Sequence, residues 1–189
     1  PILEDALMKA VHVGERARTE TAINEGVVSL GSAAVTLADQ ETDLDGATAL
    51  IIGAGEMGTI AAEAIADTAV EQLLVANRTV PHATHVADSV SVDASALGLD
   101  AAPSAAERAD VVIAATGSPE HILTADELAT AGEPLCIDLA QPRDVDPAAS
   151  AEPAVTLHDI AALAATPAAT HARRSARAPR GDCRDQQPA

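Results

Sequence analysis

Four largely apolar runs punctuate the chain, at residues 47–52, 73–76, 111–115 and 135–140, each bounded by turn-forming residues. Runs this short and this apolar predict strands buried on both faces, which is the signature of a parallel sheet covered by helices. Between them the spacing changes to that of helices. Residues 59–67 continue helically from a glycine-rich turn, and Pro81 begins a helix of one or two turns through Ala87. Thr124 is placed to cap a helix over 125–131 that Gly132 stops. Upstream, Ile2, Leu3, Ala6, Leu7, Ala10 and Val11 share one face of a helix over 2–18. Val27, Leu30, Ala34, Leu37 and Ala38 do the same over 27–38.

The remaining pattern is weaker. Val90-Ser91-Val92 reads as a short third strand, and residues 95–103 read as loop. Ser104 is positioned to cap a short helix, with Glu107 at its third position completing a capping box. Val155-Thr156-Leu157 reads as a sixth strand, and His158-Asp159 opens a last helix carrying Ile160 and Leu163. Strands alternating with helices give an α/β fold, a Rossmann-type doubly wound parallel sheet. Right-handed crossovers put its strands in the order 3-2-1-4-5-6. Ligands in such sheets sit beyond the carboxyl ends of the strands, where the order reverses between strands 1 and 4. The turn at 53–58, the loop at 116–119 and the loop at 141–147 all fall there.

The turn is Gly53-Ala54-Gly55-Glu56-Met57-Gly58, directly after the first strand and at the head of a helix. This G-x-G-x-x-G pattern, in that context, is a dinucleotide-binding fingerprint. Gly53 permits the tight turn, Gly55 lets a pyrophosphate approach the backbone, and Gly58 lets helix and strand pack closely. The helix start then offers free N–H groups and its positive dipole end to the phosphates. The glutamate at 56 is expected to point away from the phosphates, and Met57 either packs against the cofactor or fills the core.

The second strand ends in Asn77-Arg78-Thr79, where an NAD site places an acid for the ribose 2′-hydroxyl. A guanidinium can fork onto a 2′-phosphate, with Asn77 and Thr79 adding neutral hydrogen bonds, so NADPH is the expected cofactor. Thr116, Gly117 and Ser118, after the fourth strand, are expected near the nicotinamide or its ribose. Arg143 either pairs with Asp144 or Asp146 or faces the cleft; the first is favoured. The six histidines show no metal-ligand spacing.

Composition narrows the picture. At 189 residues the chain holds one domain plus flanking pieces. Its hydrophobic fraction of 48% contains no aromatic residue, so the core is built from Ala, Val, Ile and Leu. The net charge is −18, yet residues 173–189 carry five arginines and two aspartates. So acidic a surface disfavours phosphate backbones and suits a salt-rich cytoplasm, pointing to a halophilic source. Cys136, inside an apolar run, reads as a small buried hydrophobe, and Cys183 sits in the tail; neither has metal or disulfide spacing. No apolar run reaches membrane-spanning length. Pro1 points to a sequence that begins inside a longer protein.

Five segments in this order resemble a known family: Arg16-x-Arg18-Thr19-Glu20-Thr21-x-Ile23, the glycine turn, Ala76-Asn77-Arg78-Thr79, Thr116-Gly117-Ser118-Pro119, and Asp138-Leu139-Ala140-x-Pro142-Arg143-Asp144-Val145-x-Pro147. Together they resemble glutamyl-tRNA reductase, over residues 3–165. The resemblance implies NADPH-dependent reduction of glutamyl-tRNA to glutamate-1-semialdehyde, through a thioester on a cysteine, in tetrapyrrole synthesis. It also implies a cytoplasmic enzyme that is a homodimer at full length. The family's nucleophile lies in a Thr-Cys-Asn-Arg context that this sequence lacks. Residues 1–25 therefore correspond to the last part of a truncated catalytic domain, residues 26–165 to the NADPH-binding domain, and no catalytic residue is carried over. The segment at 16–21 either borders the glutamyl site or acts as a hinge. Where the family continues into a spinal helix and dimerisation domain, Thr166-Pro167 interrupts, and the Arg-, Ala- and Pro-rich residues 166–189 read as a disordered or out-of-frame tail. The fragment alone is expected to bind cofactor without turnover. Competing readings are a shikimate or quinate dehydrogenase, which shares Asn-Arg-Thr but would need a catalytic lysine that Lys9 supplies poorly, and a non-catalytic nucleotide-sensing module.

Overall fold

The computed structural model describes residues 23–165. The helix expected over 2–18, the junction at 16–21, Cys183 and the 166–189 tail lie outside them. Within them, α1 (Ile23–Glu41) leads into β1 (Thr48–Ile52), α2 (Glu56–Ala66), β2 (Gln72–Asn77), α3 (Val80–Ser89) and β3 (Asp93–Gly98). A 3-10 turn at Leu99–Ala101 precedes α4 (Ala102–Ala106), β4 (Val111–Ala114), α5 (Ala125–Thr130) and β5 (Leu135–Asp138). A second 3-10 turn, Pro147–Ala151, leads to β6 (Thr156–Asp159) and α6 (Ile160–Ala165). All strand pairs are parallel, in the order β3-β2-β1-β4-β5-β6. This is the expected α/β Rossmann-type doubly wound sheet with its reversal between β1 and β4.

Alternate residues of the central strands feed two separate cores. Ala49, Ile51, Leu73, Val75, Val111, Ile113 and Ile137 pack under α1, α2 and α3. Leu50, Ile52, Leu74, Ala76, Val112, Ala114 and Cys136 pack on the opposite side with α4, Leu123, Leu128 and Val145. A strand that buries both faces has no polar face to show, which is why the runs are continuous. The buried hydrophobics are all aliphatic or cysteine.

Three elements differ from the sequence expectation. The third strand is not Val90–Val92 but Asp93–Gly98, inside the stretch read as loop. It is an edge strand with every residue exposed or partly so, and its hydrogen bonds to β2 fix it, so it needs no apolar run. Val90 and Val92 pack against the core from the turn before it. Ser104 lies inside α4 rather than at its cap, because Pro103 starts the helix earlier and Ala101 is the cap residue. The capping box is found instead at Thr124 and Glu127. Finally, His158 and Asp159 close β6, although Asp159 Oδ1 does accept the Ala162 N–H at 2.8 Å and so caps α6.

Candidate functional site

The sheet brings the three expected segments to one edge. Register pairs Ile52 with both Ala76 and Ala114, so β2, β1 and β4 end level. Beyond that line lies a cleft of about 560 Å³. Its lining includes Gly53, Ala54 and Gly55 from the first turn, Asn77, Arg78 and Thr79 from the second, and Thr116, Gly117 and Ser118 from the third. Nine of the twelve residues expected at a cofactor therefore converge on one space. Glu56, Met57 and Gly58 do not line it. Glu56 is exposed, and Met57 packs partly buried against the core.

The glycines differ in what they do. Gly53 has φ +106°, and a Cβ there would lie 2.6 Å from the Ala115 carbonyl oxygen. Gly58 is buried, and a Cβ on it would collide with the Gly53 carbonyl oxygen, so helix and turn meet backbone to backbone. Gly55 faces open space, with nothing within 4 Å of an added Cβ. It is also the cap residue of α2 and has no side chain to satisfy the first-turn N–H groups. Those of Glu56, Met57 and Gly58 have no acceptor four residues back within the helix and remain available to an anion.

Asn77 has a different role from the one its sequence position suggests. Its Oδ1 accepts the Ala54 N–H at 3.3 Å and its Nδ2 donates to the Thr79 carbonyl at 3.0 Å. The amide clamps the glycine turn to the Arg78–Thr79 turn rather than presenting itself to a ribose. Arg78 and Thr79 remain exposed, and Arg78 has no ion-pair partner among the described residues. His82, one turn into α3, also lines the cleft beside them. Sequence reading missed it, and its spacing from Thr79 on a helix starting at Val80 was the available signal.

The third wall rests on residues outside the cleft. Asp144 is fully buried. Its Oδ2 accepts the Thr116 N–H at 2.7 Å and its Oδ1 accepts the Thr116 hydroxyl at 2.5 Å. Thr116 Oγ1 in turn accepts the Ser118 N–H at 3.0 Å. Ser118 Oγ is spent on Glu120, donating to its carbonyl and accepting its N–H. Asp138, also buried, accepts the N–H groups of Ala140 and Val145. Burial pushes both carboxyls above the usual carboxylate range, and the hydrogen bonds they accept offset that only in part. Arg143 pairs with Asp159, neither of the partners expected for it. Burial, helped by the Asp138 charge, pushes the Cys136 thiol up to about 12, so it carries no thiolate at neutral pH.

With this geometry in hand, the relatives fall into place. Residues 36–166 match the family model described as shikimate / quinate 5-dehydrogenase. The glutamyl-tRNA reductase of Haloarcula marismortui is 53% identical over 174 residues, which cover 92% of this chain and 39% of that protein. The chain thus spans about two fifths of the length of the curated relatives it matches. Among solved structures, glutamyl-tRNA reductase from Methanopyrus kandleri superposes with a TM-score of 0.66 at 34% identity, over 93% of this chain and 45% of that one. Quinate dehydrogenase from Corynebacterium glutamicum in complex with NAD gives a TM-score of 0.62 at 21% identity, over 80% of this chain and 56% of that one, which speaks to the fold alone. The dehydrogenase model matches this chain, and the high identities lie with the reductases. The chain belongs to the shikimate / quinate 5-dehydrogenase domain family, in the form carried by glutamyl-tRNA reductases.

Proposed function

We propose that this chain is the NADPH-binding part of a glutamyl-tRNA reductase, an oxidoreductase that makes glutamate-1-semialdehyde from glutamyl-tRNA for porphyrin synthesis. The cleft fits a dinucleotide on three counts. Gly55 leaves the backbone bare where a diphosphate would approach. The first-turn amides of α2 point their positive end there. Arg78 stands unpartnered among the described residues at the lip. In this reading Gly53–Gly58 hold the pyrophosphate through backbone N–H groups, Arg78 and Thr79 take the 2′-phosphate, and the 116–118 loop borders the nicotinamide. When bound, NADPH would supply the hydride.

The observation that carries the choice of NADPH is Arg78, a guanidinium at a strand end where an NAD site places a carboxylate. Titration of the 189-residue chain with NADPH and NADH, before and after Arg78→Ala, tests it. A hydrogen bond between charged groups contributes about 1.5–3 kcal/mol, so NADPH is expected to bind roughly tenfold to a hundredfold tighter than NADH, and the variant to abolish the gap. Equal affinities in the unaltered chain would refute the assignment.

Among the described residues the chain offers no thiolate for the acyl group, because Cys136, the cysteine among them, is buried and protonated at neutral pH. The proposal is therefore that glutamyl-tRNA is bound and attacked by parts of the full enzyme outside residues 23–165, and that this chain alone shows no turnover. Release of semialdehyde by the isolated chain would overturn that. No helix among the described residues is long and apolar enough to cross a membrane. A cytoplasmic, homodimeric full-length enzyme from a halophile is part of the same proposal, its halophilic source supported by the acidic composition and the haloarchaeal relatives.

A further inference from the structure

We propose that Asp144 is the positioning residue for the nicotinamide end of the cleft, acting through Thr116 and Ser118 to present the Gly117 peptide to the carboxamide of the cofactor. The inference rests on reading the cleft as a dinucleotide site. It goes beyond that reading in assigning a role to a buried residue that does not itself line the cleft.

The geometry is that of a fork. One buried carboxylate takes both the backbone N–H and the hydroxyl of the same residue, Thr116, at 2.7 and 2.5 Å. A charge-assisted pair of this kind fixes orientation as well as position. Thr116 is thereby held with its oxygen facing the Ser118 N–H, 3.0 Å away. Ser118 is further tied by its own hydroxyl to Glu120. The far end of the segment is fastened to the same place, since the Asp144 carbonyl accepts the N–H groups of Ile122 and Leu123 at 2.6 and 3.1 Å, and the Asp146 N–H returns to the Leu123 carbonyl at 2.9 Å.

Gly117 is what remains. Both neighbours are fixed, while Gly117 itself makes no hydrogen bond among the described residues and lines the cleft. A Cβ on it would meet nothing within 4 Å. Its peptide donor and acceptor are thus exposed in a rigid frame. A primary carboxamide, which offers one donor group and one acceptor, is the complementary chemistry. Asp144 is in turn backed by Asp138, whose Oδ2 accepts the neighbouring Val145 N–H at 3.1 Å. The frame therefore runs from the end of β5, through the buried Asp138 and Asp144, to the cleft wall at Thr116.

The test compares NADPH with 2′-phospho-ADP-ribose, which lacks only the nicotinamide, on the 189-residue chain in concentrated KCl. The unaltered chain should bind NADPH more tightly than the truncated probe. Asp144→Asn puts a donor where the Thr116 hydroxyl must donate. It should weaken NADPH by roughly tenfold, the size of one lost hydrogen bond of about 1–1.5 kcal/mol, and leave 2′-phospho-ADP-ribose unchanged. Thr116→Val, which removes the hydroxyl at constant shape, should do the same and carries the test if Asp144→Asn fails to fold. An undiminished NADPH advantage in both variants overturns the proposal. So does an equal loss of both probes, which would mean a general structural role. If the unaltered chain binds neither probe, the dinucleotide reading itself fails and this inference with it.

Discussion

At the scale of single residues, the close approach of Gly58 to Gly53 sets a hard limit. A methyl group at 58 would collide with a backbone carbonyl that cannot rotate away. Gly58→Ala should lower unfolding free energy by about 1–3 kcal/mol, the usual range for overpacking, as read from the urea midpoint. An unchanged midpoint would show that helix and turn are not in backbone contact. Asp138 and Asp144 make a second prediction at this scale. Both carboxyls are raised in the folded chain by burial. A raised group binds its proton more tightly folded than unfolded, so its contribution favours folding below the unfolded value and fades as pH rises through the folded one. The contribution of these two carboxyls to urea stability in concentrated KCl should therefore fall as pH rises above the ordinary carboxylate value of about 4, and replacing Asp138 by Asn should flatten that part of the slope. A slope of opposite sign would mean that the two carboxylates are stabilised, not penalised, by their surroundings. Among these residues the glycines were legible from their spacing between a strand and a helix, although the Ala115 carbonyl that also crowds Gly53 was not. Asn77 and Asp144 were not. Their partners lie 23 and 28 residues away, and nothing in the neighbouring letters says that an amide is a clamp or that a carboxylate is buried.

At the scale of elements, the strands with two buried faces were read within one or two residues of their ends, since burial forces an apolar run. The edge strand β3 escaped for the converse reason. Pairing with β2 along one side defines it, and Asp93, Ser95 and Gly98 are admissible where one side is wet. Capping was read correctly at Thr124, but the reciprocal box was expected at Ser104, where it does not form. Ser104 and Glu107 have the right spacing, but Pro103 had already begun the helix. Thr124 and Glu127 carry the reciprocal bonds, with Thr124 N–H donating to Glu127 Oε2 at 2.8 Å and Glu127 N–H to Thr124 Oγ1 at 3.3 Å. Thr124→Ala should cost about 1 kcal/mol, and Ser104→Ala close to nothing. Comparable losses from the two, measured by denaturant unfolding, would put the cap back at 104.

At the scale of the whole molecule, charge and core act together. Over residues 1–172 there are 27 acids and six bases. Among the described residues the two cores on either side of the sheet are packed from aliphatic side chains and Cys136. Repulsion among those acids opposes compaction at low ionic strength, and the screening length shrinks to about 3 Å in 1 M salt. The urea midpoint should rise steadily between about 0.1 and 2 M KCl, and full stability without salt would remove the halophilic reading. The interior that this salt protects has a second consequence. With no indole, phenol or phenyl ring in the sequence, the protein is nearly dark in the near ultraviolet. Any fluorescence from reduced nicotinamide would then arise without energy transfer from the polypeptide, and a change in its brightness would report directly on how the ring is seated against the loop at 116–118.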